Sequence, residues 1–246
     1  MSLYKKNILI TGAGKGLGEE FVKYFISRGF FVFGITRSKS DLIKFRSFKN
    51  CKIYKGDVSN EKIINKIFND SVKEKKIING LINNAGIRHR QEFKKIKLKD
   101  LEKTFKVNYF SIFKIMQIYL NYSIKFKLKS SIVNIGSIVG GKQGFSNLTA
   151  YASTKGALKS LTQSFAVEVA KYGIRANTVN PGFIKTSYFN KFKKKKKLYN
   201  WTVSRIPMKH WGEPKHISGL VEYLLSEKSE YLTGETINID GGWTNA

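Results

Sequence analysis

Residues 7–18 read NILITGAGKGLG, an apolar run that ends in four closely spaced glycines. The run Asn7–Thr11 is typical of a buried strand, and residues 21–26 repeat apolar side chains at helical spacing. A glycine turn between a strand and a helix lets the backbone approach a pyrophosphate, which then lies on the helix N-terminus. An ordinary tight turn is the alternative, but the position directly after the first strand favours a dinucleotide site.

The alternation of strands and helices continues along the chain. The further predicted strands are Phe31–Thr36, Lys52–Tyr54, Ile77–Ile82, Ser131–Ile135, Ile174–Val179 and Glu235–Asp240. The helices predicted between and after them are Ser40–Phe48, Ser59–Lys76, Leu98–Phe126, Tyr151–Lys171 and Glu213–Leu225. This order predicts an α/β fold: a single Rossmann-type domain over residues 1–246, with a doubly wound parallel sheet of about seven strands flanked by helices.

The end of the second strand is where an adenosine ribose would lie. Enzymes that use NAD place an Asp or Glu there, about 20 residues past the glycines. Residues 36–39 instead read TRSK, with no carboxylate before Asp41. Arg37, together with Lys15 in the glycine turn, would meet a 2′-phosphate through charge-assisted hydrogen bonds, although both could be solvated surface cations. We therefore expect NADP(H).

Polar residues follow the third and fourth strands. Asp57 could accept a hydrogen bond from an adenine amino group or cap the helix that starts near Ser59, and the two roles are compatible. Residues 83–86 read NNAG, in which small residues leave room for a cofactor and paired amides could tie neighbouring strands together. Asn108 lies in the middle of the long helix, which is unfavourable unless its side chain has a partner, either structural or in a site.

Residues 137–155 carry a serine, a tyrosine and a lysine. Ser137 directly follows the fifth strand, at the edge where ligands bind in open parallel sheets. Tyr151 and Lys155 are four residues apart on a predicted helix, so they share a face. Because an ammonium favours the ionised form of a neighbouring phenol, the pair suits a proton donor. The spacing alone occurs by chance, and its significance comes from the surrounding pattern.

The alternation fails in residues 183–212. This segment has a lysine run, scattered aromatic residues and no clean period, and we interpret it as a mobile lid over the substrate.

The formal net charge of +28 is compatible with an anionic partner or with drift towards A/T-rich codons, since the lysines are spread along the whole chain. No nucleic-acid-binding motif is visible, so nucleic acid is the weakest of the possible partners.

Composition narrows the protein class further. No apolar run approaches the roughly 18 residues that span a bilayer, so we expect no membrane partner. The first strand begins too early to leave room for a secretory signal, and the single cysteine, Cys51, fits a reducing compartment. We therefore expect a cytoplasmic protein. The three histidines, His89, His210 and His216, lack metal-ligand spacing, so we expect no metal.

These motifs, in this order, resemble the short-chain dehydrogenase/reductase family over essentially the whole chain. The closest likeness is to the β-ketoacyl-acyl carrier protein reductase branch, with sugar and polyol dehydrogenases nearly as close. The resemblance implies a catalytic set formed by Asn108, Ser137, Tyr151 and Lys155. It implies that the cofactor is bound by Thr11, Gly12, Lys15, Gly16, Leu17, Gly18, Arg37, Asp57, Val58, Asn84, Ala85, Gly86, Tyr151, Lys155, Pro181, Gly182, Ile184 and Thr186. One departure is that Ser137 and Tyr151 stand one position further apart than is usual in the family.

The resemblance implies NADPH-dependent reduction of a ketone to a secondary alcohol, as in 3-oxoacyl-[acyl-carrier-protein] reductases. Tyr151 would donate the proton, Ser137 would hydrogen-bond the same oxygen, and Lys155 would hold the nicotinamide ribose and assist the phenol. Asn108 would anchor a water that resupplies the proton through Lys155. As partners, the resemblance implies a small carbonyl or alcohol substrate, an acyl carrier protein, and further copies of the chain in a homotetramer. A keto-sugar or polyol dehydrogenase is one alternative; a non-catalytic dinucleotide-binding protein is another, which the complete catalytic set disfavours.

Overall fold

The strands of the chain form one parallel sheet. The computed structural model describes residues 7–141, 143–186 and 189–246. Its strands are β1 Asn7–Thr11, β2 Phe31–Thr36, β3 Cys51–Lys55, β4 Gly80–Asn83, β5 Ser130–Ile135, β6 Ile174–Pro181 and β7 Thr236–Ile239. They lie in the order β3-β2-β1-β4-β5-β6-β7, and every neighbouring pair is parallel. The predicted Rossmann-type sheet is therefore confirmed.

Helices cover both faces of this sheet. They are α1 Leu17–Ser27, α2 Lys39–Lys44, α3 Glu61–Lys73, α4 Leu98–Phe105, α5 Ser111–Lys125, α6 Thr149–Val169, α7 Phe189–Lys193, α8 Lys196–Arg205 and α9 Pro214–Leu225. Successive residues of β1 face opposite sides, as a strand requires. Ile8 and Ile10 pack with α1 and α9, whereas Leu9 packs with α3, α5 and α6. No helix in the described residues is both long and apolar enough to cross a membrane.

The chain order places a switch point at the centre of the sheet. The chain builds outward from β1 to β3 and then returns to β4 on the other side of β1. Loops after β1 and β4 therefore diverge at the carboxyl edge, where open α/β sheets bind their ligands. The turns after β5 and β6 open on the same edge.

Several predicted element boundaries differ from the structure; α2, for example, ends at Lys44 and not at Phe48, and three further differences follow. The fourth strand begins at Gly80 rather than Ile77, because the Asn7 side chain takes up the Ile77 carbonyl at 2.9 Å. The long helix 98–126 contains a π-helical segment, Lys106–Phe110, between α4 and α5. Residues 183–212, which showed no period, contain α7 and α8, two helices too short to repeat a pattern.

Candidate active site

The glycine turn after β1 is held against the end of β4. Gly12 has a φ of +66°, and a Cβ on it would lie 2.8 Å from Ala85 Cα. A Cβ on Gly18 would lie 2.0 Å from the Gly12 carbonyl oxygen. Only glycine fits either position, because the atoms in the way belong to the backbone. The turn is therefore fixed in shape by its lack of side chains.

The N-terminus of α1 faces an open space beside this turn. Gly16 is its N-cap, no side chain of the described residues caps the helix, and a Cβ on Gly16 would meet nothing within 4 Å. Leu17 is the first helical residue, and the Lys15 side chain is exposed next to it. An uncapped helix N-terminus beside open space suits the pyrophosphate of a dinucleotide.

Polar side chains tie the strand ends to one another. The buried Thr11 hydroxyl accepts from the backbone N–H groups of Asn84 and Ala85, both at 3.0 Å. The Asn84 amide donates to the carbonyls of Thr11 (3.0 Å) and Gly12 (3.2 Å). The Asn83 amide donates to Asn134 Oδ1 of β5 at 2.8 Å. The expectation that paired amides tie neighbouring strands is confirmed. Thr11 and Asn84 thus hold the turn in place through β4.

The carboxyl ends of β2 and β3, where the adenosine ribose is expected, form what we call the ribose corner. There the structure rules out one of the two expected roles of Asp57, that of helix cap. Asn60, not Asp57, caps α3, which begins at Glu61. The Asp57 carboxylate accepts from the Ser59 N–H (2.8 Å) and hydroxyl (2.7 Å), and these bonds hold its pKa below the ordinary value against the opposing effect of burial. Arg37 Nη1 lies 4.0 Å from Asp57 Oδ2, a loose ion pair that leaves the guanidinium exposed. The next residue, Val58, is buried.

Asp41 and Lys44 form a second part of this corner that the sequence did not reveal. The Asp41 carboxylate accepts from the Thr36 hydroxyl at 2.7 Å and packs against Gly14 of the glycine turn. Lys44 Nζ lies 3.6 Å from Asp41 and donates to the Gly14 carbonyl and to Glu19, both at 3.0 Å. Asp41 is thus already paired, and Lys44 ties α2 to the glycine turn.

Ser137 lies just beyond β5. Its backbone N–H donates to Asn180 Oδ1 of β6 at 2.9 Å, and its hydroxyl oxygen accepts from the Val139 N–H at 3.1 Å. The side chain is buried but for a small fraction. These bonds fix the residue at the carboxyl edge while leaving its hydroxyl proton free to be donated.

Tyr151 and Lys155 lie one turn apart on α6. Lys155 Nζ is 5.8 Å from the centre of the Tyr151 ring and donates to the Ile135 carbonyl at 2.6 Å. Burial lowers the pKa of the Lys155 ammonium, and the attraction of the ionised Tyr151 phenol opposes this shift. Since that attraction is mutual, the ammonium stabilises negative charge on the phenol oxygen.

Asn108 joins the loop after β4 to helix α6. It is fully buried in the π-helical segment. Its Oδ1 accepts from the Ile87 N–H (2.8 Å), and its amide donates to the Ile87 carbonyl (2.9 Å) and to the Thr154 hydroxyl (3.1 Å). Thr154 in turn donates to the Tyr151 carbonyl at 2.7 Å. Gly86 directly precedes Ile87, and a Cβ on it would lie 3.4 Å from Asn108 Oδ1. A larger residue at position 86 would therefore crowd the Asn108 side chain.

The remaining residues that the sequence predicts to bind the cofactor lie at the end of β6 and directly after it. The Gly182 N–H donates to the Ile239 carbonyl at 3.0 Å, and a Cβ on Gly182 would lie 2.6 Å from Asp240 Cβ. Pro181 ends β6. Ile184 forms an isolated bridge with Gly212, and the Thr186 N–H donates back to the Ile184 carbonyl at 2.9 Å.

Five aromatic residues of the segment 183–212 pack into one cluster. The Trp211 ring contacts the rings of Phe183, Phe189, Phe192 and Tyr199, with centres 4.8–5.8 Å apart. The cluster also includes Ile138 and Val139, directly after Ser137, and Tyr151 packs against it. The lysines at 193–197 are exposed on the outside. An apolar surface thus adjoins the Ser137–Tyr151 pair.

Arg88 is a site residue that the sequence analysis missed. Its guanidinium carbon lies 5.7 Å from the centre of the Tyr151 ring. The residue stands outside every motif, and only its position shortly after the NNAG turn places it near the carboxyl edge. No three potential metal ligands cluster anywhere in the described residues.

Comparisons with known proteins agree with this geometry. A family model described as Enoyl-(Acyl carrier protein) reductase matches residues 12–244. The 3-oxoacyl-[acyl-carrier-protein] reductase FabG of Buchnera aphidicola subsp. Schizaphis graminum is 35% identical, over 98% of this chain and 98% of its own. A structure titled "ElxO with NADP Bound" is 32% identical, with a TM-score of 0.91 over 98% of this chain and 100% of that one. Another, "4-hydroxyisoleucine dehydrogenase complexed with NADH", is 32% identical, with a TM-score of 0.92 over 98% and 99%.

Proposed function

Because this chain belongs to the short-chain dehydrogenase/reductase family and is an oxidoreductase, we propose that it reduces a ketone to a secondary alcohol with NADPH. The observation that carries the proposal is the Tyr151 ring with the buried Lys155 ammonium 5.8 Å from its centre. A buried cation next to a half-buried phenol has no structural need, since an apolar residue would fill the same space at lower cost.

The residues of the carboxyl edge fit a dinucleotide. The uncapped N-terminus of α1 and the open space at Gly16 suit the pyrophosphate, and the exposed Lys15 and Arg37 suit a 2′-phosphate. Asp41, the carboxylate that could otherwise accept from a ribose hydroxyl, is bound to Thr36. When bound, the nicotinamide supplies the two electrons of the reduction as a hydride.

The chain's own residues then handle the oxygen of the ketone. Tyr151 donates its phenolic proton to that oxygen as negative charge develops, and the Lys155 ammonium stabilises the phenolate left behind. The Ser137 hydroxyl donates a hydrogen bond to the same oxygen, which strengthens as the oxygen approaches an alkoxide. Asn108 aligns the loop after β4 with α6 through its bonds to Ile87 and Thr154. We propose that it also helps to hold a water, which returns the proton to Tyr151 through Lys155.

For the substrate we propose a 3-oxoacyl group carried by an acyl carrier protein, with a keto sugar as the second candidate. The FabG relative and the apolar surface beside Ser137 and Tyr151 support the acyl chain, and the exposed lysines at 193–197 would attract an acidic carrier. The exposed guanidinium of Arg88, 5.7 Å from the centre of the Tyr151 ring, favours the second candidate when the sugar carries an anionic group.

We further propose that residues 1–246 act as one domain, with residues 183–212 as its lid, and that the chain forms a homotetramer. Exposed apolar residues of the π-helical segment, α5 and α6 support self-association: Phe110 is 58% exposed, Phe113 46% and Val167 81%. Light scattering tests the tetramer. A cytoplasmic location follows from the single cysteine and remains a prediction.

The test of the activity is NADPH oxidation against a panel of ketones. The KM for NADPH should be at least about 10-fold below that for NADH, because one charge-assisted contact is worth roughly 1.5–3 kcal/mol. Tyr151→Phe should lower kcat by about 10²–10⁴ and leave NADPH binding unchanged. Tyr231→Phe, at a fully exposed tyrosine, is the matched control. Retained activity in Tyr151→Phe would refute the assignment of the proton donor.

A further inference from the structure

The Arg88 guanidinium stands next to the proposed proton donor without a charge partner. Its central carbon lies 5.7 Å from the centre of the Tyr151 ring, and the residue is exposed. The ion pairs found among residues 7–141, 143–186 and 189–246 do not include it. Because the chain has 45 basic and 17 acidic residues, the lack of a salt bridge does not distinguish Arg88; its position beside the Tyr151 ring does.

The backbone that carries Arg88 is held at both ends. On one side, Ile87 forms two hydrogen bonds with Asn108, at 2.8 and 2.9 Å. On the other side, the Gln91 N–H donates to the Asn147 carbonyl at 3.0 Å, which joins the loop to the segment that leads into α6. The guanidinium is therefore presented from a fixed backbone, and less entropy is lost when it binds a ligand.

The chemistry of Arg88 differs from that of Lys155, the other cation near the same ring. Lys155 is buried and donates to the Ile135 carbonyl, so its charge acts on the phenol. Arg88 is open to solvent and offers the planar fork of donors that matches a carboxylate or phosphate. An anion that approaches Tyr151 from solvent therefore meets Arg88.

We propose that Arg88 binds an anionic group of the substrate, a carboxylate or a phosphate, located within a few bonds of the carbonyl that is reduced. This inference rests on the ketone reduction proposed above, since the carbonyl oxygen must lie at hydrogen-bond distance from the Tyr151 hydroxyl. The short distance between Arg88 and that ring leaves space for only a small spacer. A 3-oxoacyl thioester carries no charge next to its ketone, so of the two substrate candidates above the inference favours the keto sugar, as a ketose phosphate, and it adds short keto acids as a third candidate.

The test compares pairs of ketones that differ only in charge. One pair is a 3-oxo acid and its methyl ester; the other is dihydroxyacetone phosphate and dihydroxyacetone. The charged member should have a kcat/KM at least about 10-fold higher in the unaltered enzyme, and Arg88→Gln should lower that value by about 10- to 100-fold. The neutral members should change less than about 3-fold. Whichever charged ketone responds more identifies the anion as carboxylate or phosphate.

Three controls separate recognition from a structural role. Arg88→Lys keeps the charge and should recover part of the preference, while Arg90→Gln changes an exposed arginine of the same loop and should have no effect. The third measurement needs no turnover: the Tyr151→Phe variant with NADPH should bind the 3-oxo acid at least about 10-fold more weakly when Arg88→Gln is added, by calorimetry. NADPH affinity should stay constant throughout.

Equal losses for charged and neutral ketones, or no charge preference in the unaltered enzyme, would overturn the role of Arg88 while leaving the ketone reductase intact. If none of the tested ketones supports NADPH oxidation, the proposed function is overturned instead. The binding measurement then decides the role of Arg88 alone.

Discussion

Replacing Asn108 with Ala should cost this protein much of its stability. The substitution removes three hydrogen bonds from a fully buried site and leaves the Ile87 N–H without its acceptor. Three bonds at about 1 kcal/mol each, plus about 1–3 kcal/mol for the orphaned donor, predict a loss of about 4–6 kcal/mol in the free energy of unfolding. This is a large fraction of the 5–15 kcal/mol typical of a domain. Turnover should also fall, because Asn108 aligns the Arg88 loop with α6.

Urea unfolding followed by far-UV circular dichroism measures this loss, with kcat and the dissociation constant of NADPH determined on the same preparations. Thr154→Val removes only two bonds: the one from the Asn108 amide to the Thr154 hydroxyl, and the one from that hydroxyl to the Tyr151 carbonyl. It should cost about 1–2 kcal/mol. Asn121→Ala, at an exposed asparagine of α5, should change stability by less than about 0.5 kcal/mol. If Asn108→Ala unfolds within 1 kcal/mol of the unaltered protein, the three bonds are not formed as described and the reasoning fails.

Further predictions concern charged groups. Lys44→Met should weaken NADPH binding by about 3- to 10-fold in a fluorescence titration, since it frees the glycine turn, whereas Lys23→Met, at the other lysine paired with Glu19, should not. The bond from Tyr54 helps lower the pKa of Asp70 from 3.8 to about 2, so this carboxylate contributes stability above about pH 4 that is lost as the pH falls towards 2. Tyr54→Phe should flatten that acid dependence in a series of thermal melts. Changing Lys193–Lys197 to Gln should lower kcat/KM severalfold for an acyl-carrier substrate at low salt and leave a small neutral ketone unaffected; equal activity on both would leave the acyl-carrier proposal without its charged surface.

Features that depend on residues close together in the sequence could be predicted from it. The turn at residues 12–18 needs glycine because its backbone touches β4, and that requirement shows as a motif. The order of strands and helices follows from apolar periodicity, because each element buries a face of its own. The end of the predicted helix Tyr151–Lys171 is another example, because Gly173 directly follows the 3₁₀ turn after α6 with a left-handed φ of 72°.

Features that depend on contacts between distant segments could not be predicted. Asn108 meets partners 21 and 46 positions away, so the sequence left its role open. Asp41 lies five residues beyond the end of β2, yet the turn into α2 brings its carboxylate back onto Gly14. Arg88 carries no motif and gains meaning only from the ring beside it. In each case the fold, rather than local propensity, decides which groups meet.

The buried ammonium of Lys155 has a consequence for the evolution of this chain. Its pKa is lowered by burial, so at neutral pH the folded state holds a charge that the unfolded chain would hold more readily. Stability should therefore increase as the pH rises towards the ordinary pKa of lysine. A drifting sequence could gain robustness by losing this lysine, and a copy released from selection for turnover would be expected to replace it early with an apolar residue of similar size. The proposed role of Lys155 in turnover accounts for a buried lysine in a chain whose other lysines are mostly at the surface.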